Sequence, residues 1–417
     1  MPADPGLPRH MLATLRHRDF RLLWLGQLVS TVGDMMQSIG ISWHLYVLTS
    51  SPLQLGLLGL IRAVPFMALS LAGGAMADSM DRKRLLIVSQ VAQMAFAGVL
   101  AAATATGHVT VWLLYGATFL TGAASAFDSP TRQAMVPNLV PRREMVHAMT
   151  LLTLMRRTAM IAGPGLGGLV IGAFGLAPDY FGNAISFLAV VVAVLVMGPV
   201  PKVVLTVARP MDRITGGFHF ARREPKVMVP MLMDFVTRSC GSAGTLLPVF
   251  ARDVFFVGAE GLGVLSSAMS AGAVAGGLLL GSLPPSKRPI TLMMAAYTLE
   301  GLFFAGFGLS RLFGLGLIML FLKGVANIFG EVLRTTVLQL KTPDDVRGRV
   351  TALSGIFDNG GPQIGALEAG AVGEAIGPIG SVISSGIAGG VLAAVFWLHP
   401  SLRDEPEESS DHLSAAV

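Results

Sequence analysis

Ionisable side chains stand inside long apolar runs of this sequence, where each charge is costly to bury. In the first half of the chain these include Asp34, Arg62, Arg156 and Arg157, and in the second half they include Asp234, Arg238, Glu300, Lys323, Asp358 and Glu368. A carboxylate at membrane depth costs free energy when it is ionised, so it can load a proton at one face and release it at the other. Asp34, Asp234 and Glu300 are therefore candidates for proton coupling.

Two of these acids have a basic residue within reach. Arg62 stands on the run that follows Asp34, so it either forms a permanent bridge with Asp34 or contacts substrate. Asp234 and Arg238 are four residues apart, one helical turn, and either satisfy each other or take part in proton transfer.

The elements that carry these residues are twelve apolar runs, each long enough to cross a bilayer as a helix of about 20 residues. We predict spans over 20–48, 52–77, 85–106, 110–127, 149–175, 180–198, 226–250, 261–282, 290–309, 312–331, 349–375 and 378–398. The fold class is therefore an all-α membrane protein.

Composition supports this fold class. Only 13% of the 417 residues are charged and the mean hydropathy is +0.66, whereas a soluble domain carries about 25% charged residues. This excludes a soluble enzyme, a disordered chain and a nucleic-acid-binding domain. The one cysteine, Cys240, excludes a disulfide framework or a multi-thiolate metal site. No nucleotide-binding signature is present, and we expect no cofactor and no metal.

The distribution of Lys and Arg predicts the orientation. With the N-terminus in the cytoplasm, nearly all the basic residues between spans fall on the cytoplasmic side, and only Arg252 and Arg311 fall outside. Both termini are then cytoplasmic. A polar segment after span 6 predicts four regions: a six-helix half over 1–198, a cytoplasmic linker over 199–225, a second six-helix half over 226–398 and an acidic tail over 399–417.

The loop after span 2 carries a family motif, GAMADSMDRKR, from Gly74 to Arg84. It resembles the signature loop between spans 2 and 3 of the major facilitator superfamily, although Ser79 and Asp81 depart from the usual pattern. The acidic residue before the basic cluster, and the segment TVLQLKTPDDVRGR from Thr336 to Arg349, resemble the branch that contains enterobactin exporters and macrolide-efflux proteins.

The resemblance implies roles for several residues. In the major facilitator fold the first helix of each three-helix unit lines a central cavity, which favours Asp34, Asp234, Arg238 and Lys323 as cavity residues, with Arg62 and Asp358 as further candidates. Glu300 falls on span 9, which the fold places outside, so we expect it to be an inward-facing structural partner. The motif loop is expected either to latch the two halves near the start of span 11 or to act only as a topology signal; its residues are Gly74, Asp78, Asp81, Arg82 and Lys83.

Span 5 contains GPGLGG, with Gly163, Pro164, Gly167 and Gly168. This resembles the antiporter motif of the same superfamily. Small residues let helices approach closely in lipid, and Pro164 lets the helix bend. The alternative is ordinary small-residue packing, because glycine is abundant throughout the chain.

These observations predict a secondary transporter, not an enzyme, that exports an amphipathic drug-like or siderophore-like molecule by proton antiport through alternating access. Its expected partners are membrane lipids, protons and the substrate, with no nucleic acid, and we expect a monomer in the cytoplasmic membrane. One alternative is a lipid or lysophospholipid flippase of the same fold. Another is a membrane receptor or regulatory subunit that transports nothing.

Overall fold

The computed structural model describes residues 13–198, 218–240, 242–284, 286 and 288–398. Each of the twelve predicted spans corresponds to a helix within these ranges. The first six helices are α1 (Arg18–Thr49), α2 (Pro52–Ser79), α3 (Arg82–Ala105), α4 (Val111–Met135), α5 (Met145–Phe174) and α6 (Leu176–Val196). The others are α7a (Pro225–Ser239), α7b (Ala243–Val249), α8 (Gly258–Ser282), α9 (Pro289–Leu309), α10 (Phe313–Lys341), α11 (Asp344–Ile376) and α12 (Pro378–Trp397).

Short connections with specific caps separate the helices. Ser51 accepts a hydrogen bond from the Gln54 amide at the start of α2, and Thr110 accepts one from the Leu113 amide at the start of α4. Gly175 joins α5 to α6 with φ of 89°, and Gly377 joins α11 to α12 with φ of 86°. Glycine adopts such positive φ values without strain, which permits these one-residue turns.

Eight helices in the described residues are long and apolar enough to cross a membrane. These are α2, α3, α5, α6, α8, α9, α10 and α12. Large apolar side chains are exposed along them, for example Val88 on α3 at 65% and Leu195 on α6 at 63%. Contiguous exposed apolar surface of this kind suits contact with lipid.

Two helices are longer than predicted. Span 4 was expected to end at residue 127, before Asp128 and Pro130, but α4 continues to Met135 with Pro130 inside the helix. Span 10 was expected to end at residue 331, but α10 continues to Lys341. The charged residues in both extensions have partners inside the protein, described below, so they do not have to lie in a solvated loop.

Span 7 is interrupted. The helix α7a ends at Ser239, α7b begins at Ala243, and a π-helical turn over Phe250–Val254 follows directly. Such π-helical turns are rare. They occur mostly inside α-helices and are frequent at functional sites.

The chain divides into two compact units. The first comprises the described residues within Met1–Val207 and Gly244–Ser270, and the second those within Ala208–Ala243 and Ala271–Val417. The grouping does not follow the predicted boundary between halves, because residues 244–270 lie in the predicted second half but pack with the first six helices. The division at 198 and 226 stays a prediction, and the predicted tail and most of the linker lie outside the described residues.

Candidate functional site

The first unit places a carboxylate without a salt bridge midway along α1. Asp34 is half-buried, and neither Arg62 nor any other described basic residue lies within 4.0 Å of its carboxylate. Arg132 and Arg62 are still near enough to act on it electrostatically, as is Asp128, and Asn183 is a polar neighbour. The side chains of Asp34 and Arg62 therefore do not form the permanent bridge that the sequence allowed.

Asp128 and Arg132 form an ion pair one helical turn apart on α4. The Asp128 side chain is 1% exposed, and its Oδ1 accepts a hydrogen bond of 2.7 Å from Gln90 Nε2 on α3. Sequence analysis missed this pair because span 4 was ended one residue before Asp128. The spacing of four residues between an acid and a base was the signal that could have found it.

In the second unit, Asp234 on α7a is completely buried and held by several donors. Arg238 Nε lies 3.0 Å from both carboxylate oxygens, and Tyr297 Oη donates a hydrogen bond of 2.7 Å to Oδ1. Arg334 Nε on α10 lies 3.7 Å from the same oxygen. Asp234 is thus the centre of a charge network that joins three helices.

Arg334 extends this network to α11. Its Nη2 lies 2.8 Å from Asp358 Oδ1, and its Nη1 donates a hydrogen bond of 2.9 Å to Ser354 Oγ. Arg238 Nη2 also lies 3.5 Å from Glu331 Oε2. The sequence had placed Arg334 in the loop between spans 10 and 11, and the loop was wrong because α10 continues beyond Arg334. That Arg334 lies on the cytoplasmic side stays a prediction.

Glu300 and Lys323 form a salt bridge between α9 and α10. Lys323 Nζ donates a hydrogen bond of 2.6 Å to Glu300 Oε1, which also accepts one of 3.1 Å from Asn327 Nδ2. The ammonium lies 5.4 Å from the centre of the Phe304 ring. The structure thus brings together two residues that sequence analysis assigned separately, one to proton coupling and one to the cavity.

A small open cavity of about 30 Å³ lies beside this salt bridge in the second unit. Its lining combines apolar, hydroxyl and charged side chains, among them Thr237, Glu300, Phe304, Lys323 and Ser385. A cavity of this size has room for about one water molecule, and its lining is more polar than apolar.

The motif loop fixes helix ends in the first unit. Asp81 accepts hydrogen bonds from the amides of Lys83 and Arg84 and so caps α3. Arg82 Nη1 donates one of 2.9 Å to the Ala134 carbonyl at the end of α4. Lys83 Nζ donates one of 2.7 Å to the Met197 carbonyl at the end of α6. These cations complement the carboxyl ends of helix dipoles.

The other two residues of the predicted latch are Gly74 and Asp78. A Cβ at Gly74 would meet nothing within 4 Å. The side chain of Asp78 lies outside the part of the chain that the structure describes, so its role stays a prediction.

The glycines of α5 lie at two close helix contacts in the first unit. A Cβ at Gly163 would lie 2.4 Å from Met35 Cβ on α1, and one at Gly167 would lie 2.9 Å from Met36 Cα. A Cβ at Gly168 would lie 2.6 Å from the Ala259 carbonyl oxygen on α8. Backbone approach this close is possible only with glycine at these positions.

The same face of α5 makes a polar contact with α8. Ser267 Oγ donates a hydrogen bond of 2.7 Å to the Ile161 carbonyl, and the Pro164 carbonyl oxygen would lie 2.5 Å from a Cβ at Gly263. Pro164 therefore lies within the tightest part of the α5–α8 contact.

Nothing in the described residues groups three or more His, Cys, Asp or Glu side chains in a way that could hold a metal ion. Four carboxylates of the site instead lie beside basic side chains: Asp128, Asp234, Glu300 and Asp358.

Comparison with known proteins identifies the family. The sequence profile described as transmembrane secretion effector, within the major facilitator superfamily, matches residues 10–416. The chain belongs to this family. It is a multi-pass membrane transporter rather than an enzyme, and lies in the inner membrane among lipids. The resemblance inferred from the motif loop is thereby confirmed.

Curated relatives and solved structures agree with this assignment. Enterobactin exporters from Shigella boydii serotype 18 and Escherichia coli O81 are each 26% identical over 372 residues, 89% of this chain and 89% of theirs. A nucleoside transporter, NupG, has a TM-score of 0.72 at 14% identity, covering 91% of this chain and 98% of its own. A bacterial homolog of the human lysosomal transporter Spinster, solved inward-facing and unoccupied, has a TM-score of 0.72 at 13% identity, with 93% and 97% covered. These structures establish the major facilitator fold.

Proposed function

We propose that the protein exports a small amphipathic molecule, siderophore-like or drug-like, in exchange for protons and by alternating access. It does so as a monomer, with both termini in the cytoplasm. The direction of transport and the substrate class are supported by the similarity to enterobactin exporters over 89% of the chain. The orientation is supported by the concentration of Lys and Arg on one side of the predicted spans.

The observation that carries the proton coupling is the state of Asp34. The buried acids Asp128 and Asp234 each have a basic partner, whereas Asp34 has none within 4.0 Å in the described residues. A carboxylate without a partner at mid-helix depth gains most from binding a proton. Arg132 and Arg62, which act on it from a distance, favour proton release when they move closer.

The contact between α5 and α8 supports an exchange mechanism. Gly168 and Gly263 let the two helices meet at backbone distance, and Ser267 ties them together. A seal of this kind at the outer side prevents protons from leaking through the protein while the substrate site is open inward.

The pocket beside Glu300 and Lys323 supports an amphipathic substrate. It places the ion pair of Lys323 and Glu300 next to the Phe304 ring, so a ligand that enters it meets both charged and apolar groups. The cavity has room for about one water molecule, so the proposal requires that it widen when the transporter changes conformation. We assign substrate contact to this pocket and proton coupling to Asp34. With Asp234 bound to two arginines, we assign it a structural role.

The test is transport by purified protein in proteoliposomes, with enterobactin, macrolides and lysophospholipids as separate probes. An inward proton gradient should drive export of the substrate. Asp34→Asn should abolish uphill export and retain substrate exchange without a gradient. Ser38→Ala, an exposed position one turn along α1, is the matched control and should transport normally.

Several results would contradict the proposal. Uphill export by Asp34→Asn with an unchanged pH dependence would remove Asp34 from the coupling step. Movement of lysophospholipid alone would favour a flippase. Binding without any flux would favour a receptor.

A further inference from the structure

A second carboxyl group in the first unit lacks a basic partner, and among the described residues it has no hydrogen-bond partner either. Asp179, in the first turn of α6, is 0% exposed, and neither of its oxygens makes a hydrogen bond in the described residues. A Cβ at Gly40 on α1 would lie 2.4 Å from Asp179 Oδ2. The carboxyl group therefore occupies space that only glycine leaves free on α1.

The surroundings of Asp179 supply no basic side chain within 4.0 Å in the described residues. The N-terminal end of α6 favours a negative charge, but neither Asp179 oxygen accepts a hydrogen bond from its amides. From α1 and α6 the titratable neighbours are His44 and Tyr180, and the His44 ring nitrogen Nδ1 lies 3.2 Å from Tyr180 Oη. The other helices packed against α6 are α3 and α5, and they carry no ionisable residue over 94–105 and 163–174. An ionised carboxylate in this environment would be costly to maintain, so the geometry fits a carboxyl group that carries a proton.

Polar side chains connect this position with Asp34 along the α1–α6 interface. Asn183, one turn after Asp179, donates a hydrogen bond of 2.9 Å from Nδ2 to Gln37 Oε1, one turn after Asp34. Ser186 Oγ donates another of 2.9 Å to Asn183 Oδ1. Asn183 is also a hydrogen-bonding neighbour of Asp34. Each helical turn advances about 5.4 Å, so the two carboxyl groups lie about two turns apart along this interface.

All the members of this connection are buried. Gln37 is 5% exposed, Asn183 0% and Ser186 5%. Burying a polar side chain between membrane helices costs free energy unless it is hydrogen-bonded, and such residues often mark ion or proton pathways. Packing alone would be served equally well by apolar residues.

We propose that Asp179 is a proton-binding site of the transport cycle, the outer end of a route whose inner end is Asp34. A proton from the outside binds Asp179 and then passes, with water as carrier, to the Asp34 carboxylate. Asp179 is left ionised and takes up the next proton from outside, so no proton is gained or lost overall. This inference rests on the proposed proton exchange.

The test combines infrared spectroscopy with transport, using the full-length protein. Asp179→Asn replaces a neutral acid with a neutral amide of the same shape, so the fold should tolerate it. At neutral pH the variant should lose a carbonyl stretching band of a protonated carboxylic acid that the wild type shows. The ratio of uphill export to gradient-free exchange should fall about 100-fold, the order that a positioned proton-transfer group contributes.

A second variant tests the route separately from the protonation of Asp179, and a control variant tests for unspecific effects of substitution on α1. Gln37→Leu should interrupt the connection and lower the same ratio, while the carboxylic acid band remains. Ser38→Ala, on the same helix but outside the interface, should leave both measurements unchanged.

Two results would overturn the inference: a carboxylic acid band in Asp179→Asn with the full wild-type intensity, or an unchanged ratio in that variant. If wild-type protein shows no proton-driven export, the proposed function fails. The infrared band then still decides whether Asp179 binds a proton.

Discussion

Tyr297 on α9 donates a hydrogen bond of 2.7 Å to Asp234 on α7a, and both side chains are buried. The tyrosine hydroxyl is thus a neutral second donor, beside Arg238, to a carboxylate that also lies 3.7 Å from Arg334 Nε. These neighbours stabilise the ionised form of the Asp234 carboxylate. It contrasts with Asp34 and Asp179, whose carboxyl groups have no basic partner within 4.0 Å in the described residues.

This contrast predicts opposite effects of the same substitution. Asp234→Asn should lower the free energy of unfolding by about 3 kcal/mol, the low end for breaking a buried ion pair, because Arg238 and Arg334 then keep only Glu331 and Asp358 as acidic partners in the described residues. Asp34→Asn breaks no ion pair and should unfold near the wild-type temperature. Thermal unfolding of both variants in the same detergent is the measurement. Equal stability of Asp234→Asn and wild type would mean that the network contributes little.

The salt bridge between Glu300 and Lys323 predicts a coupling that a double-mutant cycle can measure. Glu300→Gln and Lys323→Met should each destabilise the protein, because each leaves one buried charge without its partner. The double variant should recover part of the loss, with a coupling energy of about 0.5–3 kcal/mol. Additive losses in the cycle would show that the two side chains do not depend on each other.

The α5–α8 contact predicts a position-specific effect of one methyl group. Gly168→Ala would place a Cβ 2.6 Å from the Ala259 carbonyl oxygen and should separate the helices. We expect reduced export and an increased proton leak in proteoliposomes. The matched control is Gly277→Ala on α8, where the nearest atom would be 3.8 Å away. A leak of equal size in both variants would argue against a seal at Gly168.

The motif loop predicts a conformational effect of Asp78. If this residue latches the cytoplasmic side, Asp78→Asn should shift the population toward the inward-open state. Distance measurements between spin labels on the cytoplasmic face would detect the shift, with Ser79→Ala as the neighbouring control. An unchanged distance distribution would leave Asp78 as a topology signal only.

Much of the fold follows from the sequence, because length and apolar character together identify a membrane helix. Ten of the spans differ from the helices in the structure by only a few residues at each end. The two large differences share one cause. Asp128 and Arg334 both lie beyond the predicted ends of their spans, yet each is buried within a helix beside an oppositely charged side chain. The spacing of Asp128 and Arg132 signals their pair, whereas the pairing of Arg334 with Asp358 depends on helix packing.

The candidate site was less predictable for a related reason. The pair of Asp234 and Arg238 follows from their spacing on one helix. The partnership of Glu300 with Lys323 depends on how α9 and α10 pack, and the isolation of Asp179 depends on Gly40, a residue on another helix. Asp179 also stood just before the predicted start of span 6, so it was not considered as a buried acid.

The basic residues of the motif loop fall into two groups. Arg82 and Lys83 donate hydrogen bonds to helix carbonyls, whereas Arg84 is exposed. Arg84 is exposed, so its charge faces the lipid headgroups and the salt of the medium, whereas Arg82 is 7% exposed and bound to the end of α4. Salt weakens exposed electrostatic contacts far more than buried ones. In detergent, without anionic lipids or a membrane potential, Arg82 should therefore continue to stabilise the first six helices at high ionic strength, and Arg84 should become dispensable.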